Sequence, residues 1–280
     1  MKRYKPNEKT FVTEYFSLNE FLTEINSLPN NRFMKDVEAS SREYSDDDNW
    51  SGTKTYEEAT KLITNGWDSQ AKKLSKAVAL SNNSSGTVKC SKPSYGVVGS
   101  QASVPRYLQG IPTNMVSRQM TYAKQKVITI TKGISYSAFY TAEKILEEST
   151  KALQIVQALE SSGQRVRLNI MLATTKSGRR GIQGHAVCKV CIKQPDERLN
   201  ISKIAFPLSH PAMLRRFFFK WFEVDPFITF DLGESFGSPS EMYVKELVLE
   251  DNEYFIPEII PDINEVIAQL KKPKAKKSPV

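Results

Sequence analysis

The alternation of hydrophobic and polar residues is most regular between residues 126 and 231. Val127-Ile128-Thr129-Ile130-Thr131 is short and rich in β-branched residues, which is typical of a buried central strand. Residues 138–162 carry apolar side chains at helical spacing, and Gly163 ends that predicted helix. The alternating segment 165–172 is a second strand, so the unit predicts a parallel, right-handed strand–helix–strand crossover.

The segment after this unit predicts a hairpin. The turn at residues 175–184 is too short for another crossover helix, so the strand at 186–192 is expected to pair antiparallel at the edge of the sheet. Residues 199–223 form a broad apolar helical face. The remaining predicted elements are a strand at 227–231, a helix near 239–249, a strand at 254–259 and a helix at 262–271.

The first part of the chain predicts helices and loops. Residues 11–28 have an amphipathic pattern with Ser17 or Asn19 as a cap. Thr55 and Glu58 have the spacing of a capping box, in which each side chain satisfies a free amide of the first helical turn. That helix is expected to end at Gly66, and a second one to follow.

The overall prediction is an α/β protein with a mostly parallel, Rossmann-like sheet and an antiparallel edge hairpin, preceded by a small helical module. The expected organisation has three parts, which are a helical module with an irregular connector at 1–120, an α/β domain at 121–271 and a basic flexible tail at 272–280.

Composition restricts the cellular setting. Hydrophobic residues make up 40% of the 280 positions, which is enough for a packed core. No run approaches the roughly 18 apolar residues of a membrane helix, so no membrane partner is expected. The polar N-terminus lacks a signal core, and three cysteines are too few for a disulfide scaffold. These features favour a reducing cytoplasm.

The net charge of +8 is concentrated at one end of the chain. The last ten residues contain five lysines and no acid, which is typical of a solvated tail; non-specific polyanion binding is the alternative. A second basic group lies in the hairpin turn. The candidate polyanion contacts are therefore Lys176, Arg179, Arg180, Lys271, Lys272, Lys274, Lys276 and Lys277.

Motifs for catalysis are sparse. The chain has neither a phosphate-binding Gly-x-x-x-x-Gly-Lys-Ser/Thr loop nor a Gly-x-Gly-x-x-Gly turn, and neither His185 nor His210 lies in a nucleophile motif. Cys188 and Cys191 have zinc-knuckle spacing, but their Lys-Val spacer belongs to a β-branched run. On a strand they point to opposite faces, which favours two strand cysteines over a metal site.

Two segments follow predicted strands, namely the loop from Thr131 to Ser137 and the segment Asp231-Leu232-Gly233-Glu234-Ser235. The order of helices and strands over about 126–271 resembles the von Willebrand factor A fold. In that family one Mg²⁺ is held above the strand ends by an Asp-x-Ser-x-Ser loop, a Thr and an Asp. Here Thr131 replaces the Asp and Gly133 the first Ser; Ser135 fits. The resemblance implies a degenerate metal site of Ser135, Ser137 and Asp231, and we expect no cofactor, with Mg²⁺ as the alternative.

Several distinctive segments resemble a family of proteins of unknown function encoded by tailed bacteriophages. They are Trp50-x-Gly52-Thr53-x-Thr55-Tyr56-x-Glu58-Ala59, Gly66-Trp67, Val104-Pro105-Arg106-Tyr107-Leu108-x-Gly110-x-Pro112 and the run from Ile204 to Arg216. This resemblance implies a protein acting in the cytoplasm of an infected bacterium.

The leading functional prediction is a non-catalytic interaction or adaptor protein with a protein partner. Fold-level analogy with von Willebrand A-like adaptors implies an AAA+ ATPase as that partner. The alternative is a nucleic-acid-binding protein that uses the basic tail and the Arg179/Arg180 loop. A third hypothesis is a metal-dependent enzyme using Asp231 and Ser135.

Overall fold

A mixed β-sheet forms the centre of the computed structural model, which describes residues 1–28, 51–80, 93–118, 127–137, 139–178, 181–230 and 237–271. The strands, in chain order, are β1 (Lys2–Asn7), β2 (Thr10–Tyr15), β3 (Pro93–Gly96), β4 (Gln101–Ala102), β5 (Met115–Arg118), β6 (Val127–Gly133), β7 (Arg165–Gly178), β8 (Gly181–Lys193), β9 (Ser238–Pro239) and β10 (Glu253–Ile256).

Helices make up much of the rest of the described structure. They are α1 (Leu18–Ser27), α2 (Tyr56–Asn65), α3 (Asp68–Leu80), α4 (Val104–Leu108), α5 (Ala142–Ser161), α6 (Ile201–Ser209), a π-helix (Met213–Phe218), α7 (Phe219–Val224), α8 (Glu241–Val248) and α9 (Ile263–Lys271).

The sheet runs in the order β1-β2-β8-β7-β6-β10, and β9 pairs with β7 beside this path. β6 is parallel to both of its neighbours, β7 and β10. β7 and β8 form a long antiparallel hairpin whose bonded register continues to Gly178 and Gly181. The α/β class, the β6–α5–β7 crossover and the hairpin are therefore as predicted.

The predicted position of the hairpin at the edge of the sheet is wrong. β2 pairs in parallel with β8, and β1 pairs with β2 to form the actual edge. All six residues of β2 are buried, whereas β1 is polar and contains Pro6. A polar strand with a proline is suited to an edge, because one side of its backbone makes no ladder.

The strand predicted at 227–231 is also wrong over its described part, since 227–230 has no strand structure. Asp225 turns the chain here: its carboxylate accepts from the Phe227 amide at 2.9 Å and its carbonyl from the Ile228 amide at 3.3 Å. β10 takes the place beside β6, while the Phe230 ring lies 5.5 Å from the Phe11 ring on β2.

The helix predicted within 11–28 begins only at Leu18, because Thr10–Tyr15 forms the strand β2, and the two helices predicted after Thr55 are present. Ser17 and Thr55 cap α1 and α2 by accepting backbone amides, and Gly66 ends α2 with φ +92°. The segment 93–118, expected to be irregular, instead contains a small three-stranded sheet in the order β3-β5-β4 and the short α4.

The helix pair α2–α3 is held against the rest of the structure by buried polar contacts from the apolar 204–224 region. Arg216 donates from Nη2 to the carbonyl oxygens of Thr53 and Lys54, both at 2.9 Å. The His210 ring lies 4.6 Å from the Trp67 ring, and a Cβ on Gly52 would come within 2.8 Å of it. The glycine, the tryptophan and the arginine therefore attach this pair.

The two faces of the sheet are covered unequally. Most of the helices, α5 among them, pack on one face and form the main hydrophobic core. The opposite face has a small core in which Val244 and Val248 of α8 cover Val12, Met171 and Val187. None of the helices within the described ranges combines the length and apolar character needed to cross a bilayer.

Candidate binding site

A cavity of about 440 Å³ opens at the carboxyl end of β6. β6 pairs with β7 only as far as Met171, so the next residues of β7 form one wall, and β9 forms another. The helix α5, which follows β6, and the helix α8, which precedes β10, lie on opposite faces of the sheet. Ligands of open α/β sheets bind outside the carboxyl ends of the strands, which is where this cavity lies.

The lining of the cavity is mainly apolar with a few polar groups, which is the usual composition of a binding pocket. Two of its residues, Leu214 and Arg215, belong to the π-helix, an element often found at functional sites. The apolar lining is Leu172, Ala173, Leu214, Phe219, Phe222 and Pro239, and the side chains with polar groups are Ser135, Tyr136, Ser137, Thr174, Arg215 and Ser238.

Two of the three predicted metal-site residues, Ser135 and Ser137, line this cavity together. The Ser135 hydroxyl is already occupied, because it donates to the Ala173 carbonyl at 3.1 Å and accepts from the Ala173 amide at 2.9 Å. It thus joins the loop after β6 to β7. The Ser137 carbonyl accepts from the Arg215 guanidinium at 3.5 Å. The third predicted residue, Asp231, lies outside the described residues.

Lys132, the penultimate residue of β6, is fully buried beside the site. Its ammonium donates to the carbonyl oxygens of Gly133 (3.1 Å), Pro257 (2.6 Å) and Glu258 (2.8 Å). Burial lowers its pKa to about 8, although the charges of nearby glutamates oppose this. Only the ammonium form has three N–H donors for these three acceptors, so we assign Lys132 as charged at neutral pH.

Glu241, the first residue of α8, lies on the other side of the same loop. Its Oε1 accepts from the Ser135 amide at 2.7 Å, and a Cβ on Gly133 would overlap its Oε2. Burial raises the pKa of Glu241 to about 8, and the charge of Glu258 adds to the rise. Its carboxyl group is therefore mainly protonated at neutral pH.

These groups do not fit a magnesium ion. Mg²⁺ requires anionic oxygens in octahedral geometry. Here Thr131 replaces the expected Asp and donates instead to Glu253, Ser135 is bonded to backbone, and Glu241 retains its proton. The Lys132 ammonium supplies a positive charge to this region. Among the described residues no group of three or more His, Cys, Asp or Glu is placed to hold a metal ion.

Most of the predicted polyanion contacts fall outside the described residues. Lys176 is half-buried near the end of β7, and Lys271 is the last residue of α9. The others, Arg179, Arg180, Lys272, Lys274, Lys276 and Lys277, lie outside the described ranges.

The cysteine and histidine side chains that could bind zinc do not come together at one place within the described residues. The ladder places Cys188 opposite Leu172 and Cys191 opposite Asn169, on different faces of the sheet, as their strand spacing predicts. The His185 Nδ1 lies 2.5 Å from the Thr175 hydroxyl, whereas His210 is buried beside Trp67.

Sequence reasoning found the two serines but not the full roles of Lys132 and Glu241. A lysine within a β-branched strand is a local signal, because only a partnered charge is tolerated there. Glu241 is far from Ser135 in the sequence. Its hydrogen bond with the Ser135 amide therefore leaves no pattern that can be recognised in either segment alone.

The fold and the site define an α/β protein with a mixed sheet and a mainly apolar cavity at the end of a central parallel strand. A family model described as "Domain of unknown function (DUF7192)" matches residues 3–274, and the chain belongs to this family. Neither a curated protein nor a solved structure matched the chain.

Proposed function

We propose that this protein is a non-catalytic adaptor that binds a protein partner through the 440 Å³ cavity at the end of β6. The observation that carries the proposal is a mainly apolar cavity outside the carboxyl end of a central strand, beside which the Ser135 hydroxyl, the Lys132 ammonium and Oε1 of Glu241 make hydrogen bonds within the protein. Such a site has the surface for binding a ligand.

The occupied groups argue against catalysis. The Ser135 hydroxyl both donates to and accepts from the Ala173 backbone, so activation as a nucleophile would require breaking two bonds. The Lys132 ammonium donates hydrogen bonds to three backbone carbonyls, and the Glu241 carboxyl group accepts one from the Ser135 amide. Each group is used to hold the loop in place.

Exposed apolar side chains near the cavity support a protein partner. Phe139 comes two residues after the lining residue Ser137 and is 96% exposed, and Tyr243 comes four residues after the lining residue Pro239 and is 80% exposed. Met242 is also exposed. Aromatic residues and methionine are enriched in protein–protein interfaces, where a few anchors in pockets carry most of the binding energy.

The finer assignment is a degenerate von Willebrand A-like domain in a protein encoded by a tailed bacteriophage. Support for it comes from the order β6, α5, β7 and β8, and from a cavity where that family places its metal. The resemblance is limited to this part, since 227–230 forms no strand. In this proposal the Lys132 ammonium replaces the ion, and an AAA+ ATPase of the infected cell is the partner suggested by analogy.

Site-specific crosslinking tests the proposal. A photoreactive phenylalanine analogue is placed at position 139 of the full chain and, as a matched control, at Tyr107, which is 68% exposed in the short helix α4. Both proteins are irradiated in infected bacteria, and the products are identified by mass spectrometry. We expect one protein that crosslinks at position 139 but not at 107.

A second variant links that product to the cavity. Ser238→Phe places a large side chain on an exposed lining residue, so it should abolish the crosslink at position 139 without lowering the melting temperature. A crosslink that is unchanged by Ser238→Phe, or equal yields at 139 and 107, would overturn the proposal.

A further inference from the structure

A second cavity, of about 150 Å³, lies on the sheet face that α8 only partly covers. A cavity needs a volume of about 15 Å³ to hold one water molecule. This cavity is roughly ten times larger and has room for a small molecule. Its lining is dominated by charged side chains, in equal numbers of each sign. They are Lys2, Arg167 and Lys189, and Glu14, Glu250 and Glu253.

Part of this charge is neutralised within the protein. The Lys189 ammonium lies 2.7 Å from Glu14 and 3.1 Å from Glu253, reaching across β7 and β6. Asn169 also donates to Glu253, at 3.0 Å. Although burial opposes it, the two carboxylates raise the pKa of Lys189, so this triad is ionised and carries one net negative charge.

The two remaining cations make no ion pair within the part of the chain that the structure describes. The ammonium of Lys2 lies 4.6 Å above the Tyr4 ring. Arg167 interacts with the Cys191 thiol, and its Nε is buried with no hydrogen-bond partner. Arg167 stands opposite Thr129 in the parallel ladder, and Thr129 stands opposite Glu253.

The cavity therefore has two poles. Arg167, which has no ion pair among the described residues, forms the positive pole. Glu250 and the triad of Glu14, Lys189 and Glu253 form the negative one, and Lys2 lies on that side, opposite Glu14 in the β1–β2 ladder. A simple anion would be attracted by the positive pole and repelled by the negative one. A simple cation would be attracted by the negative pole and repelled by the positive one. A ligand that carries both charges can pair with both poles, and its burial leaves no uncompensated charge.

We propose that this cavity binds a small zwitterion of the amino-acid class, with its carboxylate on Arg167 and its ammonium group toward Glu250 and Glu14. The guanidinium presents a fork of N–H donors, which matches the two oxygens of a carboxylate. The site is separate from the cavity at the end of β6, so binding here and partner binding there can be tested independently.

Thermal-shift and calorimetric titrations with each of the free amino acids test this proposal. Acetate and methylammonium serve as single-charge probes. At least one amino acid should raise the melting temperature and bind with a measurable heat, whereas both single-charge probes should bind more than tenfold more weakly. If no amino acid binds, or if acetate binds as tightly, the proposal is overturned.

Two neighbouring arginines provide the matched variants. Arg167→Gln should weaken binding of that amino acid by about tenfold or more, the usual effect of losing a hydrogen bond to a charged group. Arg165→Gln, on the same strand but outside the cavity lining, should change it less than twofold. Equal effects of the two substitutions would refute the site. Glu250→Gln changes an exposed residue of the negative pole and should weaken binding severalfold even if Arg167→Gln fails to fold.

Discussion

Glu241→Gln is expected to stabilise the protein at neutral pH. The amide keeps the shape of the side chain and the Oε1 acceptor for the Ser135 amide, but it cannot ionise. In the wild type the folded state holds a proton on Glu241 that the unfolded state releases, because burial raises the pKa from 4.5 to about 8. Stability is then lost as the pH rises through this interval, and the amide removes that loss.

The magnitude follows from the size of the shift. One pKa unit corresponds to about 1.36 kcal/mol, and pH 7 lies about 2.5 units above the ordinary value, so the gain is about 3 kcal/mol at pH 7. At pH 5 the same reasoning leaves about 1 kcal/mol.

Urea unfolding of both proteins at several pH values between 5 and 7.5 measures this effect. The difference in unfolding free energy between variant and wild type cancels the contribution of other titrating groups. Glu246→Gln, an exposed position on the same helix, is the control and should show no such trend. A Glu241→Gln difference that stays constant over this pH range would refute the raised pKa.

Three further predictions concern buried groups. Lys132→Met should lower the unfolding free energy by about 3 kcal/mol or more, because three buried carbonyls lose their donor; chemical denaturation measures this, and a loss below about 1 kcal/mol would contradict it. The ring of His210, whose pKa burial lowers to about 4, should stay neutral in an NMR titration from pH 8 to 5, with His210→Asn assigning the signal; a midpoint near 6.5 would contradict it. Gly52→Ala should cost more stability than Gly110→Ala in thermal melts, because both have positive φ but only Gly52 faces a side chain within 4 Å; equal losses would contradict the contact with His210.

Local signals predicted much of the helical structure. The caps Ser17 and Thr55 and the glycine at Gly66 are chemical requirements of helix ends, so they are visible in the sequence and appear in the structure. The hairpin β7–β8 was predictable because its connection is too short for a crossover.

Elements that depend on distant contacts were not predictable. β1 is polar because it is an edge strand, and β2 overlaps the start of an amphipathic helical pattern. The segment 227–230 has strand-forming residues, but the turn made by Asp225 prevails over that propensity. At the cavity, Ser135 and Ser137 were found through the resemblance, whereas the role of Glu241 depends on tertiary structure alone.

The position of the first two strands has a consequence for biosynthesis. Thr10 of β2 is in register with His185 of β8, so its ladder partner leaves the ribosome only after most of the chain has been translated. Until then β2 has no strand to pair with, and the edge of β8 stays open until β2 pairs with it. We therefore expect deletion of residues 1–15 to leave an apolar sheet edge that promotes intermolecular association, a state that light scattering during refolding would reveal.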